Sequence, residues 1–136
     1  SALRNVKFPL LTNAGNSSFY QCTKLTTADF PMLTSIHYSM FYRGYWLTAL
    51  ILRSETMCTL KDKSAFNDCY HIHGTVNAGW NPDGLKDGYI YVPRALIEDY
   101  KVATNWVTFA DQFRALEDYT VDGTTTGELD ESKVSL

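Results

Sequence analysis

Apolar and polar positions recur together along the first half of the chain, with a period of 22 residues. The third unit follows the same order but carries three extra residues before its last aromatic position. A unit this short cannot bury its own apolar side, whereas stacked units can, because each apolar column continues into the neighbouring unit. The matched columns are Leu3, Leu25 and Leu47, then Val6, Ala28 and Leu50, then Phe8, Phe30 and Leu52, then Phe19, Phe41 and Phe66.

Alternate residues near the start of each unit are apolar, and this alternation predicts a short β-strand. Each unit re-enters in the same direction, so the strands are expected to form a parallel sheet. Pro9 and Pro31 should end the first two strands, because proline cannot donate to a sheet ladder. The prediction is an α/β solenoid of three coils over residues 1–69. Its expected buried side chains are Val6, Phe8, Phe19, Ala28, Phe30, Phe41, Leu50, Leu52 and Phe66.

Residues 70–88 read as an irregular connection, in which the sequence NPDG at residues 81–84 suits a type I turn. An irregular segment of this length is uncommon in a compact domain and is often functional. The alternative is that it covers the side of the last repeat.

Residues 120–136 are polar and acidic, and they form either a flexible tail or a last strand.

Residues 89–119 are expected to form a strand-helix module that caps the open end of the third coil, since solenoids need a terminal cap. The sequence GYIYVP predicts a strand, and Pro93 suits the first turn of a helix. Asn105 is a plausible helix stop in the left-handed conformation. Two amphipathic helical faces follow the strand, namely Leu96, Tyr100 and Ala103, then Trp106, Phe109, Ala110 and Phe113.

The repeat resembles a known family. The segment LTTADFPMLTSI, with FYQC at residues 19–22 and FNDC at residues 66–69, is similar to the BspA-type leucine-rich repeat. The segments YIYVP and ATNW resemble a terminal module that follows such repeats in surface proteins of gut Firmicutes and in tailed-phage or prophage proteins. The resemblance implies a repeat fold without implying a particular ligand. The chain departs from the pattern at Gly44, which replaces a cysteine, and at LILR in the third unit.

Charge and composition exclude several classes of partner. The net charge is −3, and residues 1–69 carry seven basic and four acidic groups while residues 70–136 carry five and eleven. No basic stripe of the kind that binds nucleic acid is present, and no apolar run is long enough to span a membrane. No signal peptide is recognised, and the opening SALRNV, without a starting Met, suggests a fragment or a processed product.

Few residues in the sequence suggest catalysis or metal binding. His71 and His73, placed on a strand, would face the same way and could bind zinc, but spacing supplies no third ligand. Cys69 near His71 suggests a thiol nucleophile, yet Cys69 also fills a structural column of the repeat, matching Cys22. The motifs G-x-S-x-G and H-E-x-x-H do not occur. We therefore expect no catalytic residues, no metal and no cofactor, and we expect the cysteines to be reduced.

Two sets of residues are candidates for ligand binding. The first is the outward side of the strands, where Lys7, Asp29 and Arg53 alternate with the buried residues. The second is aromatic, because clusters of aromatic and arginine side chains are typical of binding hot spots and also suit stacking on sugar rings. Its alternative interpretation is that the aromatics pack on a neighbouring coil. The aromatic set comprises Tyr42, Arg43, Tyr45 and Trp46, with Tyr20 one coil earlier.

These observations predict a non-catalytic binding or adhesion module, displayed on a bacterial cell surface or a phage tail, that recognises a protein or a glycan through its repeat face. The alternative is a structural module that caps a repeat array or aids virion assembly and has no ligand of its own. An enzyme is the third hypothesis. The location expected from the first hypothesis is extracellular.

The first coil would leave an uncovered strand edge and apolar columns, which favour pairing with another chain. The isolated chain should therefore either dimerise through residues 3–20, as sedimentation would show, or carry that surface against its neighbours in a crystal. Leu11→Asp or removal of the first coil should disrupt the dimer, whereas a charge substitution at Lys7 should leave it intact. A strict monomer at high concentration, with Leu3 and Val6 covered by the same chain, would contradict this prediction.

Overall fold

A computed structural model describes residues 5–7, 13–14, 24–38, 40–121 and 124–125. It shows a mostly parallel β-sheet with a few short helices, which is an α/β arrangement. Within the described residues the strands are β1 (Asn5–Lys7), β2 (Asn13–Ala14), β3 (Thr27–Phe30), β4 (Ser35–Ile36), β5 (Ala49–Leu52), β6 (Thr59–Leu60), β7 (Tyr89–Val92), β8 (Phe113–Ala115), β9 (Thr120–Val121) and β10 (Thr124–Thr125).

The largest sheet has the order β1-β3-β5-β7-β8, and every neighbouring pair in it is parallel. Its register joins Val6 to Ala28 and Ala28 to Leu50, so the 22-residue period of the sequence is also the pairing offset of the first three strands. The predicted parallel pairing is confirmed. The last pair joins Ile90 to Phe113, an offset of 23 residues (113 minus 90).

A second parallel sheet lies further along the same units. It has the order β2-β4-β6, with Ala14 paired to Ile36 and Ile36 to Leu60. The strands β9 and β10 pair with each other in antiparallel fashion. Of the two interpretations of residues 120–136, the strand therefore holds for residues 120–121 and 124–125, and residues 126–136 lie outside the described part of the chain.

The expected core is confirmed where the structure describes it, because Ala28, Phe30, Leu50 and Leu52 are all buried. Leu25 and Leu47 of the leucine column are buried as well. Strand β3 ends directly before Pro31, as predicted. The remaining expected positions, which are the side chain of Val6 together with Leu3, Phe8, Pro9 and Phe19, lie outside the described residues.

The phenylalanine ladder is present in its described part. Phe41 and Phe66 are buried and stacked, with ring centroids 5.5 Å apart and planes 14° from parallel. The Phe41 N–H donates to the carbonyl of Ala65 at 2.8 Å, so the backbones beside the rings are joined as well. Phe30 meets Phe41 edge-on at 6.1 Å. The ladder therefore links the strands to the far side of each unit.

Gly44 stands where the repeat has a cysteine, and packing explains the exchange. A Cβ atom at Gly44 would lie 3.0 Å from the carbonyl oxygen of Phe41 and 3.3 Å from the Sγ of Cys69. The thiol of Cys69 donates to that same carbonyl at 3.3 Å. The sulfur of Cys69 thus fills the space between the two units. A side chain at Gly44 would have to displace that sulfur or the carbonyl of Phe41.

The C-terminal elements follow the prediction with two corrections. Strand β7 is confirmed, and after Pro93 come a 3-10 turn (Arg94–Leu96) and the helix that we number α2 (Ile97–Val102). The prediction that Asn105 ends this helix in the left-handed conformation is wrong, because the helix ends at Val102 and its C-cap is Ala103. Asn105, with φ 66° and ψ −40°, instead precedes a 3-10 helix over Trp106–Gln112. Phe113 was predicted to lie on that helix, but it begins β8. The backbone of Phe109 departs from helical geometry, and Phe113 itself is extended.

Residues 70–88 also differ from the expected irregular segment, because they open with the helical turn α1 (Tyr70–His73), which Gly74 ends in the left-handed conformation. The predicted turn is present, since the Gly84 N–H donates to the carbonyl of Asn81. Asn81 is buried and organises the segment. Its side-chain nitrogen lies within hydrogen-bond distance of the carbonyls of Tyr70, Thr75 and Leu85.

Truncation of the ladder should be costly. Phe41→Ala should lower the free energy of unfolding by about 3–5 kcal/mol, because it removes a buried ring and leaves a cavity between two packed units. Chemical denaturation would measure the change. Tyr38→Ala is the control, since Tyr38 is half exposed and its truncation should have a much smaller effect. Equal effects for the two variants would contradict a central role for the ladder.

Candidate functional site

The outward side of the sheet is closed to solvent along β3 and β5. Thr27, Asp29, Ala49 and Ile51 are buried, and Asp29 has an exposed fraction of 0%. The carboxylate of Asp29 accepts three hydrogen bonds from the guanidinium of Arg53, with Nε–Oδ1 and Nη2–Oδ2 distances of 2.8 Å and an Nε–Oδ2 distance of 3.0 Å. The expectation that Asp29 and Arg53 form an exposed binding face is therefore wrong, because they pair with each other.

The C-terminal part of the chain covers this face. The ring of Tyr119 packs edge-on against Tyr91 at 4.6 Å, and the Tyr119 hydroxyl forms a hydrogen bond with the side chain of Thr27. Burial raises the pKa of Tyr119, and the nearby Asp29 carboxylate raises it further. Lys7, the remaining candidate on this face, lies half-buried on the edge strand β1.

The aromatic candidates fall into register with the next unit. Tyr45 stacks on Tyr70, with ring centroids 5.5 Å apart and planes only 6° from parallel. Trp46 stacks on His71 at 5.7 Å and 24°. Both pairs are separated by 25 residues, as Phe41 and Phe66 are, so these rings continue the same stacking at the surface. Tyr45 and Trp46 therefore pack on a neighbouring unit, as the alternative interpretation expected. Trp46 nevertheless remains 40% exposed.

Trp80 joins this group from the connecting segment, and the sequence analysis missed it. Its ring lies 4.2 Å from that of Tyr45 and 6.3 Å from that of Tyr70, nearly parallel to both, and it is 36% exposed. The only signal for it was a large aromatic residue in an otherwise polar connection. Two neighbouring stacks result, one of Tyr45, Tyr70 and Trp80 and one of Trp46 and His71, and together we call them the aromatic platform.

Charged groups border the platform. Burial raises the pKa of the Tyr70 hydroxyl, the neighbouring carboxylate of Asp68 raises it further, and the guanidinium of Arg43 opposes the shift. Arg43 has a positive φ of 64° and lies over the ring of Tyr42, 5.3 Å from its centroid. Tyr42 and Arg43 are thus adjacent to the platform without belonging to the stack. Tyr20 lies outside the described residues.

His71 and His73 do not share a face, contrary to the strand interpretation of this pair. They lie on the helical turn α1, where His71 is buried and His73 is exposed. The Nδ1 of His71 lies 2.6 Å from a carboxylate oxygen of Asp87, and its Nε2 lies 2.9 Å from the carbonyl oxygen of Trp80. The Nε2 of His73 instead faces the carbonyl of Phe66. Nowhere in the described ranges do three or more His, Cys, Asp or Glu side chains gather as a metal site would require.

The two described cysteines are buried free thiols. Burial raises the pKa of Cys58 to about 12, and it raises the pKa of Cys69 strongly as well. A nucleophilic cysteine reacts as the thiolate, so burial of this kind makes both side chains inert near neutral pH. The nucleophile suggested by the sequence at Cys69 is therefore a packing residue in this structure.

The chain was compared with protein-family models, with curated proteins and with solved structures, and none of them matches it. Among the residues that the structure describes, no helix has the length and apolar character needed to cross a membrane.

The buried ion pair gives a prediction of its own. Asp29→Asn should lower the free energy of unfolding by about 3–5 kcal/mol, because it leaves the largely buried guanidinium of Arg53 without a counter-charge. Asp118→Asn is the matched control, since its pair with Arg94 is exposed and worth about 0–1 kcal/mol. Comparable midpoints for the two variants in urea unfolding would contradict a structural role for the buried pair.

Proposed function

We propose that this chain is a non-catalytic binding module, built on a solenoid of leucine-rich-repeat type and displayed on a bacterial surface or a phage tail. Support for the solenoid comes from the agreement between the 22-residue sequence period and the 22-residue pairing offset of β1, β3 and β5. The offset of 23 residues between Ile90 and Phe113 extends the same spacing into the C-terminal module. The BspA-type resemblance of the repeat supports the proposed surface or virion location.

The single observation that carries the binding role is the aromatic platform. Trp46 and Trp80 present large, partly exposed rings, and each ring rests on another ring that holds its orientation. Rings that are fixed before a ligand arrives lose little conformational entropy on binding. Aromatic and arginine side chains also dominate the energetics of known interfaces. The platform, with Tyr42 and Arg43 beside it, therefore replaces the covered strand face as the proposed binding surface.

The proposed ligand is a protein or a glycan. A protein would place an apolar or cationic side chain on the ring faces, whose π-systems are electron-rich. A glycan would place the C–H face of a sugar ring there and direct its hydroxyls to the polar groups at the border. Asp68, Arg43 and Asp87 supply acceptors and donors for either ligand.

The second candidate is a structural module that closes a repeat array and has no ligand of its own. It is favoured by the way the C-terminal module covers the ladder. Phe66 packs against Trp106 and Phe109, at 6.2 and 5.0 Å between ring centroids. Trp106 also donates its indole N–H to the carbonyl of Cys58, which fixes the module to the third unit. In this role the platform would be a contact between neighbouring parts of a larger assembly.

The test is a binding screen with purified chain on a glycan microarray and on a library of displayed peptides. Trp80→Ala should weaken binding of any ligand so found by about tenfold or more, the scale expected of a hot-spot aromatic. Val107→Ala, an exposed apolar residue outside the platform, is the control and should bind as the parent does. Equal binding by both variants would contradict the platform, and an absence of any ligand would favour the structural module.

A further inference from the structure

The ring of His71 lies between two groups that accept hydrogen bonds. Its Nδ1 faces the carboxylate of Asp87 at 2.6 Å, and its Nε2 faces the carbonyl of Trp80 at 2.9 Å. A neutral imidazole carries one donor and one acceptor, whereas the imidazolium carries two donors. The observed arrangement is therefore satisfied in full by the doubly protonated ring, and a neutral ring would turn one lone pair toward an acceptor.

The surroundings of His71 suit a cation. Burial alone disfavours a charge, and the residue is only 7% exposed. The Asp87 carboxylate offsets this by supplying a counter-charge, and the ring of Trp46 lies 5.7 Å away between centroids. An aromatic face attracts a cation at this distance. Other titratable or charged side chains lie on the elements around the ring; they are Lys86 on the connecting segment, Arg43 and Tyr45 on the preceding unit, Asp68, Tyr70 and His73 beside the ring on the chain, and Asp111 on the 3-10 helix.

His71 also determines where Trp80 lies. The carbonyl of Trp80 is held by His71, and its N–H donates to the side chain of Asn77 at 3.2 Å. The rest of the segment is anchored by groups that do not titrate. Asn81 holds the carbonyl of Thr75, and Gln112 donates to the carbonyls of Lys86 and Gly88. A change of charge at His71 would therefore act on Trp80 and Asp87 rather than on the whole segment.

We propose that His71 is a pH-sensitive latch that holds Trp80 on the aromatic platform while its ring is doubly protonated. Loss of the Nε2 proton removes the hydrogen bond to the carbonyl of Trp80, because Nδ1 keeps its proton in the shorter, charge-assisted bond to Asp87, and it weakens the attraction to Trp46. The latched form binds one proton more than the released form, so latching must weaken as the pH rises. Histidine is the side chain that ordinarily changes charge between about pH 5 and 8. The latch thus makes the placement of Trp80 depend on the protonation of His71.

Regulation of ligand binding by this latch rests on the proposed function of the platform. At the acid end of the range the platform includes Trp80, and at the alkaline end it lacks that ring. A ligand that contacts Trp80 would then bind more tightly at lower pH. The latch itself requires no ligand, so it can be tested separately.

The experiment is NMR on the isotope-labelled full chain between about pH 5 and pH 9, which spans the ordinary histidine range while carboxylates stay ionised. The ring ¹⁵N shifts of His71 should report two protonated nitrogens at the acid end and one at the alkaline end. Cross-relaxation between the rings of Trp80 and Tyr45 should be present at the acid end and lost over the same transition.

Asp87→Asn is the decisive variant. Its amide can donate to Nδ1, so a neutral ring that donates from Nε2 to Trp80 is then fully satisfied, and the Trp80–Tyr45 contact should persist at both ends of the range. His73→Asn is the matched control on the same helical turn and should keep the parent's transition. A single protonation state of His71 at every pH, or a transition retained in Asp87→Asn, would overturn the latch. The Trp80–Tyr45 contact could change with pH as expected while the binding screen finds no ligand. That result would count against the proposed function alone.

Discussion

The stacking of Phe41 on Phe66 fixes how two successive units of this chain lie on each other. Equivalent residues 25 positions apart repeat the same contact at Tyr45 and Tyr70 and at Trp46 and His71, with centroid separations between 5.5 and 5.7 Å. The buried pair is the one that the hydrophobic effect drives together, since burying a phenylalanine side chain contributes roughly 1.5–3 kcal/mol. The surface pairs then follow at the same spacing. The aromatic platform is in this sense an outward continuation of the core.

The strand register and the inner core could be predicted from the sequence because both depend on a period. A 22-residue repeat with alternating residues specifies which positions pair and which turn toward the core, and the pairs Ala28–Leu50 and Phe30–Leu52 follow directly. What covers the other side of the sheet could not be predicted in the same way. Tyr119 covers Thr27, and no periodic signal links two residues so distant in the chain. Strand β8 was missed for a related reason, because Phe109 and Phe113 fit helical spacing until the kink at Phe109.

The residues of the candidate site also fall into two groups, those that the repeat places and those that it does not. Residue type alone indicates Tyr45 and Trp46, and their partners Tyr70 and His71 lie at the same 25-residue offset as Phe41 and Phe66. Trp80 and Asp87 come from the connecting segment, which has no repeat to place it. Their positions depend on Asn81, a buried amide whose four hydrogen bonds at the side chain fold the segment against α1. A polar residue of this kind is indistinguishable in sequence from one in an exposed turn.

Two buried or partly buried ion pairs in this chain are held in different ways. Arg53 keeps its charge throughout the range in which proteins are stable, so its pair with Asp29 is a constant part of the fold. His71 carries a charge only while it holds a second proton, and its partner Asp87 is 47% exposed to water. The arginine pair lies under Tyr119 on the covered face of the sheet, whereas the histidine pair lies beneath the exposed rings of the platform. A fold held together by the histidine pair would lose some of its stability when the ring loses its second proton. Placing the permanent pair within the sheet and the conditional pair at the proposed binding surface allows the surface to respond while the sheet does not.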